Sequence, residues 1–97
     1  MVLIMVTSLF PPEKGMEVQK KYDEIQQKFP LPSFIKLKKV GLTWIRDGIK
    51  AVAIYDVEKK ISDALSFVYR YELEFAGIEG YSNEIETLLT PEEMGIR

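Results

Sequence analysis

The sequence predicts an α+β domain with the element order β-α-β-β-α-β, on three observations. The run from Val2 to Phe10 is apolar and β-branched with no helical period, two later segments repeat apolar residues at helical spacing, and Asp47-Gly48 sits between two strand-like runs. Ninety-seven residues fit one core. A hydrophobic share of 46% against 29% charged is ordinary for a globular chain, so disorder is not expected.

The first strand stops at Pro11-Pro12. Val18, Tyr22, Ile25 and Phe29 then fall on one narrow stripe of an otherwise charged helix, and Phe29-Pro30-Leu31-Pro32 ends it, because proline lacks an N–H and restricts the residue before it. Phe34 to Ile45 reads as the second strand, with Ile35 and Leu37 alternating with Lys36 and Lys38; the pattern slips around Lys39-Val40-Gly41, where a β-bulge is expected. Asp47-Gly48 is the strongest short-range hairpin signal in the chain and leads into a third strand through Val52, Ile54 and Tyr55.

The second helix places Ile61, Ala64, Leu65, Val68, Tyr71 and Phe75 on one face. Gly77 is expected to take the left-handed conformation at its end, bringing Ile78 onto Leu73. Tyr81 to Thr90 reads as a fourth strand closed by Pro91. Residues 1–90 therefore form a single domain and 91–97 a short C-terminal tail. The order is the ferredoxin-like signature, with a four-stranded antiparallel sheet in the order 4-1-3-2.

A lone unit of this kind leaves one sheet face wet, yet the first strand carries Leu3, Met5 and Leu9 on one face and Val2, Ile4, Val6 and Phe10 on the other. The third has Ile49, Ala51, Ala53 and Tyr55 opposite Val52 and Ile54. Strands apolar on both faces are normally buried on both, and two helices cannot cover both. A homodimer through the open sheet face is the expected cover. The two edge strands carry Lys36 and Lys38 on one side and Glu84 and Glu86 on the other, charges that fit a two-fold pairing and equally fit protection of bare edges.

The stretch Phe10-Pro11-Pro12-Glu13-Lys14-Gly15, the Asp47-Gly48 hairpin, and Gly77-Ile78-Glu79-Gly80-Tyr81 leading into Leu88-Leu89-Thr90-Pro91-Glu92-Glu93 together resemble the dimeric α/β-barrel superfamily. That superfamily includes stress-responsive barrel proteins, antibiotic-monooxygenase-like proteins and several small uncharacterised families. The resemblance implies a homodimer whose sheets form a barrel, often with a pocket between sheet and helices. It also implies a choice among cofactor-independent oxygenases, small-acid isomerases, cyclases and proteins of no known activity. The haem-degrading branch uses a histidine ligand, which this chain lacks.

Composition narrows the chemistry further. The chain has no cysteine, which removes disulfides, thiolate metal sites and thiol nucleophiles, and no histidine, the residue most used for acid–base work and metal ligation. No metal-ligand spacing and no phosphate-binding glycine loop are present, so neither a metal nor a cofactor is expected. A net charge of −2 argues against nucleic acid and anionic membranes. The opening MVLIMVTSLF lacks a basic n-region and is shorter than the ~20 apolar residues a membrane span needs, so a cytoplasmic chain is expected.

Glu72 is the outlier among polar residues, because the helical wheel sets it between Leu65, Val68 and Phe75. A carboxylate there must bond a Tyr hydroxyl or a Lys, shift its pKa upward, or reach solvent. Trp44, Tyr55, Tyr69, Tyr71 and Tyr81 are candidates to line a ligand pocket, as against ordinary packing. Asn83 lies on the same side of its strand as Tyr81 and Ile85 and becomes a ligand contact if that side faces inward.

Two functions fit. The first is a homodimer that binds an apolar or aromatic small molecule; the second is a cofactor-independent oxygenase or isomerase using Glu72, a Tyr or Trp44. RNA binding ranks third, since Lys50-Ala51-Val52-Ala53-Ile54-Tyr55 puts small residues where stacking rings belong.

Overall fold

The alternation in the first strand becomes a strict division of faces. In β1 (Val2–Phe10) every even-numbered residue is buried and every odd-numbered residue is half-buried. The computed structural model describes residues 2–88 and residue 95. After β1 come a 3-10 turn (Pro12–Lys14), α1 (Gly15–Lys28), β2 (Ile35–Ile45), β3 (Gly48–Val57), α2 (Ile61–Leu73) and β4 (Ser82–Leu88). The strands form one sheet in the order β2-β3-β1-β4. All three pairings are antiparallel. This is a ferredoxin-like arrangement of four strands and two helices.

The even residues of β1 pair with the odd residues of β3, as in Ile4 opposite Tyr55 and Val6 opposite Ala53. Ala64 and Val68 of α2 pack on that face together with Ile4, Ile35 and Val57, which makes one dry core. Ile25 of α1 meets Tyr71, Phe75 and Ile78 in a second cluster. The shortest dimension of the chain is 18 Å, the thickness of one sheet under one layer of helices. The longest is 44 Å, because the β2–β3 hairpin runs out beyond the helices.

Several local expectations are corrected. The bulge falls at Lys38 and not at Gly41: Leu37 and Lys39 oppose the consecutive residues Tyr55 and Ile54, while Gly41 sits in regular register opposite Val52. The extra residue at Lys38 keeps Ile35 and Leu37 on the same face as Val40, Leu42 and Trp44, which an unbroken period of two would not. The hairpin forms, but its turn is Arg46-Asp47, with Ile45 paired to Gly48. Gly48 takes a φ of +140°, and a Cβ there would lie 2.5 Å from the Phe10 carbonyl oxygen. Close approach of β1 demands that glycine.

Gly77 is not left-handed; the left-handed residue is Gly80, with φ +83° and its Cα side against the Pro11 ring. After Leu73 the chain continues in i→i+3 turns, with Phe75 N–H on Glu72 C=O at 3.1 Å and Ala76 N–H on Leu73 C=O at 3.0 Å. Those turns carry Phe75 and Ile78 inward and leave Leu73 exposed, so the expected Leu73–Ile78 contact gives way to core packing. Ile61, at the first turn of α2, is also exposed. The extension of the fourth strand to Thr90 and the tail 91–97 lie outside the described residues, Gly95 apart.

Candidate functional site

Three rows of inward residues cross the outer half of the sheet: Phe10–Ile49–Trp44, Ser8–Ala51–Leu42 and Val6–Ala53–Val40. The second and third rows contain alanines, which leave space where the dry core has Ile, Val and Tyr. Val18 and Tyr22 of α1 roof that space from one side, and Tyr71 and Glu72 of α2 from the other. The result is a cavity of about 250 Å³ whose walls are mainly apolar and which opens past the exposed Val40 and Leu42.

Glu72 enters this space because it sits four residues after Val68 and eight after Ala64, on the buried face of α2. It is only 7% exposed. Tyr81 Oη donates to Glu72 Oε1 at 2.8 Å and lies 2.9 Å from Ser8 Oγ, while Ser8 Oγ lies 3.5 Å from the same Glu72 oxygen. A phenol has one proton, and the shorter contact to a carboxylate takes it. The Ser8 hydroxyl is then free to turn its own proton toward Tyr81 Oη or Glu72 Oε1. Tyr81 is held by its ring, which stacks on Phe75 at 5.0 Å and on Phe10 at 6.1 Å between centroids.

Burial dominates the electrostatics. It raises the Glu72 carboxyl above its ordinary value, opposed by the hydrogen bonds from Tyr81 and Ser8. Burial also raises Tyr71 to about 12, opposed by Gln26 Nε2, which donates to its oxygen at 3.1 Å. Tyr55 and Tyr81 are pushed up by burial as well, Tyr81 further by the adjacent Glu72 charge. All three phenols therefore stay protonated at neutral pH, and Glu72 is the group whose charge can change.

Of the residues singled out from sequence, Tyr55, Tyr71, Glu72 and Tyr81 line this one cavity. Trp44 is on the same side of the sheet but one step beyond Leu42, 72% exposed at the hairpin end. Tyr69 points away from the sheet on α2 and is exposed. Asn83 pairs with Ser8 on the edge strand, is exposed, and lies in a separate groove with Thr7, Leu9 and Lys50. Sequence reasoning missed Ser8 and Tyr22. Ser8 carried a signal, being the one polar residue among the even positions of β1; Tyr22 looked like ordinary helix packing. Among the described residues no cluster of carboxylates has the makings of a metal site, and no helix is long and apolar enough to cross a membrane.

No known family model matches the chain, and no curated protein does. Solved structures do. A de novo designed protein, Foldit4, shares the fold at a TM-score of 0.59 with 15% identity over 92% of this chain and 96% of that one. Rv0793 from Mycobacterium tuberculosis matches at 0.57 with 11% identity, over 93% and 95%. An unknown protein from Galdieria sulphuraria matches at 0.52 with 2% identity; the likeness covers 92% of this chain but only 45% of that one. At such identities the likeness shows the fold alone, and a designed chain in the set underlines that this fold carries no chemistry by itself.

Proposed function

We propose that this chain is a homodimeric binding protein that holds a small apolar or aromatic molecule between its sheet and its helices. The observation that carries the reading is the cavity: mostly apolar walls around a single convergent polar cluster, the composition of ligand sites in general. Its volume is below the roughly 300–1,000 Å³ of drug-sized sites, which favours a single ring or a short chain.

The dimer is supported by the face opposite the helices. Leu3, Met5, Leu9, Val52 and Ile54 form an apolar stripe there, flanked by Lys36 and Lys39 of β2 at one edge and Glu84 and Glu86 of β4 at the other. A two-fold axis parallel to the strands sets the basic edge of each copy over the acidic edge of its mate. The same face holds Asp56, whose Oδ1 is out of solvent contact without a partner among the described residues, a group that wants a donor.

Native mass spectrometry with a panel of single-ring and short-chain compounds tests both parts. A two-chain mass with retained compound is the expected result. A monomer at all concentrations removes the dimer, and failure of every compound to bind removes the pocket reading.

A second reading, an isomerase or cofactor-independent oxygenase, is favoured by the Tyr81–Glu72 contact, which places a movable proton in the cavity wall. It requires turnover that Glu72→Gln abolishes; binding without turnover leaves the first reading alone.

A further inference from the structure

We infer that the ligand of this cavity carries an ammonium group on an apolar body, and that Glu72 Oε2 receives it. The inference rests on the binding reading above and names its ligand class. The two oxygens of Glu72 are used differently. Oε1 takes the contacts from both Tyr81 and Ser8. Oε2 takes none from the described residues, and it belongs to a side chain that lines the cavity. One oxygen is anchored to the protein and the other is offered to the cavity.

The charge inventory is one-sided. Among the described residues Glu72 is the only formally charged side chain in the cavity wall, and no Lys or Arg lines it. The other polar groups in the wall are Ser8 from β1, Gln19 and Tyr22 from α1, Tyr55 from β3, Tyr71 from α2 and Tyr81 before β4, hydroxyls and one amide, all of them neutral. The described ion pairs all lie elsewhere on the surface: Lys14–Glu17, Lys21–Glu24 and Lys28–Glu74. A carboxylate among apolar walls is costly until a cation meets it, and the described residues supply none. A ligand ammonium completes the pair in a charge-assisted hydrogen bond.

The same inventory works against other ligands. An anionic ligand meets a like charge and no counter-ion. A neutral alcohol or ketone fits the walls but leaves the carboxylate unpaired. Aromatic attraction at Tyr81 does not substitute for the carboxylate, because that ring is already stacked on Phe10 and on Phe75. The recognition therefore belongs to Glu72, and the surrounding rings select for the ligand's apolar body.

Calorimetric titration of the unaltered protein with three probes of one shape tests this: phenethylamine, phenethyl alcohol and phenylpropanoate. The amine is expected to bind about tenfold tighter than the alcohol or more, and the acid more weakly than both. In Glu72→Gln the amine should fall to the affinity of the alcohol. As pH rises above the ordinary carboxylate range the amine's affinity should rise as Glu72 loses its proton, while the alcohol's stays level. If the alcohol binds as tightly as the amine, the ammonium assignment is overturned and the pocket stands. If none of the three binds, both the assignment and the pocket reading fall.

Discussion

The two halves of the helix-facing sheet are built from the same strands and end differently. Toward the start of β1, Ile4 and Val57 are fully buried, with Ile35 beside them, and Ala64 and Val68 of α2 lie directly on top. Toward the end of β1, the rows containing Ala51 and Ala53 sit under tyrosines and a glutamate, and Leu42, in the same sheet, is 69% exposed. The difference lies in what the helices bring down. As far as Val68, α2 presents small and β-branched residues, Ala64 and Val68, that close-pack on the strands, whereas its last turn presents Tyr71 and Glu72, whose polar ends need partners and hold the layers apart. One half is a core and the other is a site.

The sharpest way to break this comparison is truncation on the closed side. Ile4→Ala is expected to destabilise the chain by about 2–5 kcal/mol in urea denaturation, since a fully buried side chain leaves a cavity that its neighbours fill only in part. A cost under about 1 kcal/mol would mean that the closed end is not packed as described. Next in size is Tyr81→Phe, which keeps the stacked ring but leaves Glu72 and Ser8 without the hydroxyl they share. A loss of about 1–3 kcal/mol is expected. The Glu72 carboxyl should also titrate higher, because a bond that favours its ionised form is gone. Carbon-13 NMR of the Glu72 carboxyl would read that rise, and an unmoved titration would show that Tyr81 does not hold the carboxylate.

How much of this was legible in the sequence follows the same division. The order of elements and the two-faced strands could be read because periodicity and proline act locally. Glu72 could be singled out because a carboxylate on an apolar helical stripe is out of place wherever the helix packs. What could not be read was its partner. Tyr81 and Ser8 are separated by 73 positions and meet only because β4 and β1 are neighbours and the chain turns at Gly80 against Pro11. The bulge was displaced for a related reason: a bulge goes where it keeps the apolar residues on one face, and Lys38 does that better than a glycine already in register. Gly77 misled because it satisfied a local rule for ending helices, while Phe75 and Ile78 were needed in the core several residues later.

A smaller effect, with an informative sign, is expected from Glu72→Gln. The folded protein raises the Glu72 carboxyl above its unfolded value, so the native state binds more protons than the unfolded one in between. Stability contributed through this group is therefore full below the unfolded value, is lost as pH rises through the folded value, and is level above it. Glutamine keeps an acceptor for Tyr81 without the charge. Glu72→Gln should thus flatten the fall in melting temperature that sets in above the ordinary carboxylate range, and equal or exceed the parent once the carboxyl is ionised. A variant less stable at pH 7, with the slope unchanged, would mean that the carboxylate is already paired with a cation in the free protein.

The smallest expected effect is on the open side. Leu42→Ser removes an apolar side chain that lines the cavity yet is mostly in contact with solvent. In dilute protein it should change stability by no more than about 0.5 kcal/mol, because little burial is lost. The same change should weaken the binding of an apolar ligand, whose body passes this residue where the cavity opens. The two readouts separate the halves of the molecule: at Ile4 stability suffers, and at Leu42 binding suffers. If Leu42→Ser were to cost about 2 kcal/mol or more, and if that cost grew with protein concentration, the side chain would be covered in the assembled protein. The outer hairpin would then be part of the contact between copies, and the cavity would be closed by a second chain and not open to solvent.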